Sequence, residues 1–75
     1  MSSSVAFGRV VRTARQKLGI SQEELADRCE LHRNAIGLIE RGERTPSLDT
    51  ILAIADGLGI SASRLVSRVE RELEA

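Results

Sequence analysis

The sequence predicts an all-α fold, five helices packed as one domain over residues 1–75, with no strand. Three observations carry this reading. Hydrophobic residues make up 41% of the chain and aromatics only 1%, so the core must be Leu, Ile, Val and Ala, which suits packed helices better than strands. Apolar positions recur at three- and four-residue spacing. The periodic runs are punctuated by serine at their starts and glycine at their ends. A chain of 75 residues builds a thin core and is marginally stable unless it dimerises.

The first helix spans about 5–18. Phe7, Val11, Ala14 and Leu18 fall on a narrow arc with Val10 beside it, while Arg9, Arg12 and Gln16 point away. Ser2 to Ser4 form a frayed start or a loose N-cap, and Gly19 ends the helix as a C′ residue. The second helix, about 22–29, opens on Ser21 with Glu24 three residues on, a capping box, and buries Leu25, Ala26 and Cys29. The third runs over about 33–41 and stops at Gly42. Pro46 then blocks continuation and Ser47 caps a fourth helix over about 48–58, with Leu48, Ile51, Leu52, Ala55 and Leu58 as its core face. Gly59 terminates it, and Ser61 caps a fifth over about 62–73. There Ala62, Leu65, Val66, Val69 and Leu73 lie within an arc of about 100°.

The stretch from Ser21 to Gly42 organises the chain. At 100° per residue, the third helix places Arg33, Asn34, Gly37, Leu38 and Arg41 on one arc. Ala35, Ile36 and Ile39 lie on the opposite arc, with Glu40 at its edge. If the second arc packs on the second helix, Arg33 and Asn34 face outward at a helix N-terminus. Arg pairs with guanine and Asn with adenine in the major groove. Two short helices joined by a tight turn, the second presented in this way, make a helix-turn-helix.

From Leu18 to Ser61 the chain reads LGISQEELADRCELHRNAIGLIERGERTPSLDTILAIADGLGIS. It contains Ser-Gln-x-x-Leu-Ala, Ile-Glu-x-Gly, Pro-Ser-Leu and Leu-Gly-Ile-Ser. This stretch resembles the phage-repressor-like (XRE/Cro-type) helix-turn-helix family. The length and the segment LHRNAIGLIERGERTPSL look similar to small dimeric regulators such as the controller proteins of restriction–modification systems. The resemblance implies a five-helix lambda-repressor-like DNA-binding domain. Its function would be a transcriptional regulator, a repressor type among others, acting as a homodimer on a near-palindromic operator in double-stranded DNA.

Carried over by position, the resemblance assigns base contacts to Arg33, Asn34, Gly37 and Leu38, although Gly37 and Leu38 depart from the longer polar residues the family usually has on this face. Gly37 reads nothing itself but allows close approach. Leu38 either touches a thymine methyl or packs back on the domain. Phosphate contacts fall to Gln22, Arg41, Arg44 and Thr45, with Glu43 expected to point away. His32 stands where Ser or Thr usually caps the helix, and is either a phosphate contact or a weak cap with an exposed ring. Glu30 holds a turn position often taken by glycine, at a cost of roughly 1 kcal/mol if φ is positive. Arg15 and Glu40 match a structural ion pair. For the dimer, Leu65 is expected to seal the monomer core, leaving Val66, Val69 and Leu73 for the interface, joined by Leu58 and Ile60.

Other classes fit poorly. The single His and single Cys leave no metal-ligand cluster, no cofactor and no nucleophilic constellation to expect, so the chain reads as a non-enzyme. No small-molecule ligand is evident. No apolar run is long enough for a signal or membrane segment, which suggests a cytoplasmic protein. Net charge is zero, but residues 1–46 carry eight basic against six acidic side chains and residues 47–75 three against five. That asymmetry permits DNA contact by the first half. The alternative is a protein-interaction module that uses the helix-turn-helix only as scaffold.

Overall fold

The computed structural model describes residues 1–75 and contains five α-helices: α1 (Ser3–Leu18), α2 (Gln22–Cys29), α3 (Arg33–Glu40), α4 (Leu48–Leu58) and α5 (Ala62–Glu74). α1 begins two residues before the periodicity predicts. Ser2 is a true N-cap, its hydroxyl accepting from the Val5 amide at 3.1 Å. Ser21, Ser47 and Ser61 do the same for α2, α4 and α5, at 3.0, 3.1 and 3.2 Å. Each such cap is worth about 1 kcal/mol. The Ser21 half of the expected capping box is made, but the Glu24 carboxylate meets Arg28 at 3.4 Å instead.

The ends are equally regular. Gly19, Glu30, Gly42 and Gly59 all adopt left-handed backbone, with φ of 71°, 56°, 73° and 74°. Behind each, the next amide reaches back to close the last turn: Ile20 to Arg15 O, Leu31 to Ala26 O, Glu43 to Leu38 O and Ile60 to Ala55 O, at 2.9–3.4 Å. This is the Schellman arrangement. At Glu30 it is made by a residue with a Cβ, which costs about 1 kcal/mol or more.

Sixteen buried apolar residues from all five helices and the Ile20 linker form one cluster. α1 packs on α3, α4 and α5, and α2 packs on α3 and α4. Two glycines inside helices set the closest crossings. A Cβ on Gly8 would collide with the Ile39 carbonyl oxygen and come within 2.7 Å of the Glu40 carbonyl oxygen, so α1 and α3 touch backbone to backbone. A Cβ on Gly57 would lie 2.5 Å from Cys29 Sγ, so α4 presses on α2. Burial pushes the Cys29 thiol pKa up, the Asp56 carboxylate adds to this and Arg28 opposes it. The thiol behaves as a small hydrophobe.

The Gly57 contact corrects the expected face of α4. Ile54 is fully buried with Ala55 and Leu58, whereas Leu48 and Leu52 are 70% and 48% exposed. With Gly57 against Cys29, the side of α4 that carries Ile54, Ala55 and Leu58 faces the core, and Leu48 and Leu52 lie off it. Leu18 is also exposed, at the end of α1. Two residues expected at a dimer interface belong to the monomer core: Leu58 is 5% and Val69 9% exposed. The apolar stripe of α5 is split lengthwise. Leu65 and Val69 point in, and Val66 and Leu73 stay 43% and 42% exposed. Ile60 is partly buried against the core.

The Gly8 crossing is directly testable. Gly8→Ala would raise helix propensity by up to about 1 kcal/mol, yet its methyl must displace the backbone of α3, an overpacking penalty of about 1–3 kcal/mol or more. The variant is expected to melt below the parent. A melting temperature equal to or above the parent's would show that α1 and α3 can separate without cost.

Candidate nucleic-acid interface

α3 is eight residues long, too short to hold its shape or orientation alone. Its inward face, Ile36 and Ile39, is 0–1% exposed. Its orientation is set by Glu40. The Arg15 guanidinium grips this carboxylate as a fork, Nε to Oε2 at 2.6 Å and Nη2 to Oε1 at 3.0 Å, while Nη1 donates to Ile20 O at 2.9 Å. Gln22 Nε2 donates to Oε1 at 3.0 Å. The Glu40 side chain is 2% exposed and that of Arg15 13%. Residues from α1 and α2 thus converge on one acid of α3, and the turn between them holds the arginine through the Ile20 carbonyl. The hydrogen bond to Glu40 raises the Arg15 pKa, against an opposing desolvation. A raised pKa on a cation leaves its contribution fully present below the ordinary arginine value and lost only in strong alkali.

The outward face carries the predicted polar residues. Arg33 and Asn34 are exposed, and Arg33 Nη1 lies 3.8 Å from Glu23. His32 is the N-cap residue, with an exposed ring and no side-chain cap bond. No protein side chain therefore caps the positive end of α3. Leu38 is half-buried and Gly37 buried. Arg33, Asn34, Gly37, Leu38, Gln22 and Arg41 line a common cleft of about 320 Å³. His32 lies outside it, as do Arg44 and Thr45, which are exposed on the loop after α3. The Thr45 hydroxyl lies 3.1 Å from that of Ser4.

Three features were invisible in the sequence. Glu43 is paired within the chain, accepting from Arg41 Nε at 2.6 Å. The left-handed turn at Gly42 doubles the chain back and brings the two together. Gln22 is tied to Glu40 rather than standing free, and Gly37 lies beneath the Arg41 guanidinium. No group of three or more His, Cys, Asp or Glu side chains is placed to hold a metal ion, and no single helix is long and apolar enough to cross a membrane.

The fold is shared with known proteins. The helix-turn-helix family profile matches residues 11–65. The chain belongs to the helix-turn-helix family. It is 48% identical over 61 residues to the control protein C.BamHI of Bacillus amyloliquefaciens, covering 80% of this chain and 75% of that one. The crystal structure of the restriction–modification controller protein C.AhdI from Aeromonas hydrophila superposes with a TM-score of 0.80 at 42% identity, covering 83% of this chain and 94% of that one. The controller protein C.Esp1396I, solved as a tetramer with its natural 35 base-pair operator, gives a TM-score of 0.92 at 25% identity, covering 100% of this chain and 99% of that one.

The Glu40 network makes a sharp prediction. Glu40→Ala leaves the Arg15 guanidinium and the Gln22 amide without their shared acceptor in a largely buried place, a cost of about 3–5 kcal/mol. A large fall in melting temperature is expected. Unchanged melting with altered ligand binding alone would remove the network from the fold and place it in the interface.

Proposed function

We propose that this chain is a sequence-specific regulator of transcription that binds double-stranded DNA as a homodimer on a near-palindromic site. One observation carries the reading: Arg33 and Asn34 stand exposed at the uncapped N-terminus of a helix whose opposite face is locked by Glu40. Side chains that pair with base edges sit where a helix enters the major groove, on a rigid base. Similarity to controller proteins, one of them solved on its operator, supports it. In this reading Arg33 and Asn34 contact bases and Leu38 reaches a thymine methyl. His32, Arg44 and Thr45 meet phosphates along the rim. The chain needs no cofactor and catalyses no reaction.

One domain of this size reads only a few base pairs, and a genomic address needs more. Two copies related by a two-fold axis place their recognition helices about 34 Å apart, in successive major grooves. Val66 and Leu73 on α5, with Leu48 and Leu52 on α4, are exposed large apolar residues. They, with the partly buried Ile60, form the proposed self-complementary contact.

Selection of duplexes from a random pool tests the central claim, since it yields both site and half-site spacing. Arg33→Ala and Asn34→Ala are each expected to cost about 1–3 kcal/mol on the selected site and to relax one base position per half-site. Equal loss on selected and random DNA would reassign them to phosphates. Arg44→Ala is expected to weaken binding to all sequences alike and to lower the salt slope by about one unit; an unchanged slope removes Arg44 from the interface.

Assembly is tested at Val66, which is exposed, so a charge there spares the monomer core. Val66→Glu places a carboxylate against its own copy across a two-fold contact. A folded monomer by sedimentation, with little affinity for the full site, is expected. A parent protein that sediments as a strict monomer at micromolar concentration, free and on DNA, would rule the dimer out.

A further inference from the structure

Gly37 sits in the middle of the recognition helix with ordinary helical backbone, since it is absent from the left-handed residues. Its conformation does not require glycine, and glycine there weakens the helix relative to alanine. What the missing side chain supplies is space. A Cβ on Gly37 would lie 3.1 Å from Arg41 Nη1 and 3.8 Å from Gln22 Oε1. The guanidinium of Arg41 therefore lies folded back over Gly37, and the Gln22 oxygen borders the same gap.

Both groups are held. Arg41 Nε donates to Glu43 at 2.6 Å, which fixes the plane of the guanidinium and leaves its Nη1 and Nη2 donors for another partner. Gln22 faces a carboxylate at Glu40, and a carboxylate only accepts. The amide nitrogen is thereby turned to Glu40 and the amide oxygen to the cleft. The gap is bordered by fixed donors and a fixed acceptor.

Charge decides what this pair fits. An arginine reaching for phosphate works best unpaired, because a carboxylate beside it would be carried up to the DNA backbone and repelled. The major-groove edge of guanine is neutral and offers two acceptors, O6 and N7, and its cytosine offers the N4 donor alongside. We propose that Arg41 and Gln22, across the gap left by Gly37, read one G·C pair in each half-site: Arg41 donates to guanine O6 and N7, and Gln22 Oε1 accepts from cytosine N4. Glu43 is the positioning residue for Arg41. This replaces the phosphate contacts expected for Arg41 and Gln22, and it rests on the DNA-binding reading above.

The test combines duplex selection with salt titration, using the parent, Arg41→Ala and Glu43→Gln. Both substituted side chains are more than half exposed, so melting near the parent's is expected and serves as the folding control. The parent should select G·C at one position per half-site that Arg33→Ala and Asn34→Ala leave intact. Arg41→Ala should lose that preference alone, with roughly ten- to hundredfold weaker binding to the selected site. Its affinity for random duplex and its salt slope should barely move. Glu43→Gln should weaken the same preference while tightening binding to random duplex, since it frees the guanidinium charge. Equal loss on both duplexes with a slope lower by about one would make Arg41 a phosphate contact and overturn the inference, as would an unchanged selection. A parent that binds no duplex at low salt would instead overturn the DNA-binding reading itself, before any variant is compared.

Discussion

The buried carboxylate of Glu40 is the constraint on which the rest of the molecule depends. Taking an acid out of water is costly, and the cost is offset here only because three N–H donors meet it at 2.6–3.0 Å. Those donors come from α1 and from the first residue of α2. The network therefore works as a three-way register between helices. Any roll of α3 about its axis would break the Arg15 fork, whose bidentate geometry tolerates little rotation. The backbone contact at Gly8 adds a second constraint on the same helix, because it fixes how deeply α3 sits. With both roll and depth set, the placement of Arg33 and Asn34 is a consequence.

The outward face is electrostatically restrained. Arg33 lies beside Glu23 and Arg41 beside Glu43, at 3.8 and 2.6 Å. Exposed pairs of this kind add little stability, about 0–1 kcal/mol each. Their effect is on the field. They lower the general attraction to a polyanion, which in nucleic-acid binding is sequence-independent and salt-sensitive. In the proposed reading, zero net charge and paired arginines on the outward face of α3 would favour discrimination over general adhesion.

Much of the fold was legible because its signals are local. Serine before each of α1, α2, α4 and α5 and glycine after α1 and α4 mark turns whose hydrogen bonds span only a few residues. The split of α3 into a polar and an apolar face follows from periodicity alone. What escaped was set by partners distant in sequence. Gly8 and Gly57 contribute no side chain to any periodic pattern, yet they fix the two closest helix crossings. Leu48 and Leu52 fit the apolar arc of α4 as well as Ile54 does, and only the docking of α4 on α2 decides between them. On α5, Val66 and Val69 differ little in sequence terms, and only the packing of that helix on α1 and α4 separates an exposed from a buried valine. The Arg41–Glu43 pair was hidden because residues two apart do not meet on a helix. They meet here across the left-handed turn at Gly42.

These corrections bear on one another. Gly57 lets α4 press against Cys29, and in that packing Leu48 and Leu52 are exposed. Across an apolar hollow lined by Phe7, Pro46, Ile51, Val66 and Val69, α5 keeps Val69 for the core and offers Val66 outward. A core of sixteen residues in a chain this short leaves little reserve, and six large apolar side chains are exposed, four of them, Leu48, Leu52, Val66 and Leu73, on α4 and α5. Covering them in a second copy, as the proposed dimer does, removes that apolar surface from water without asking more of the core. It also places two locked recognition helices on one rigid body. The packing that limits the monomer thus also leaves, on α4 and α5, the surface that would pair two monomers.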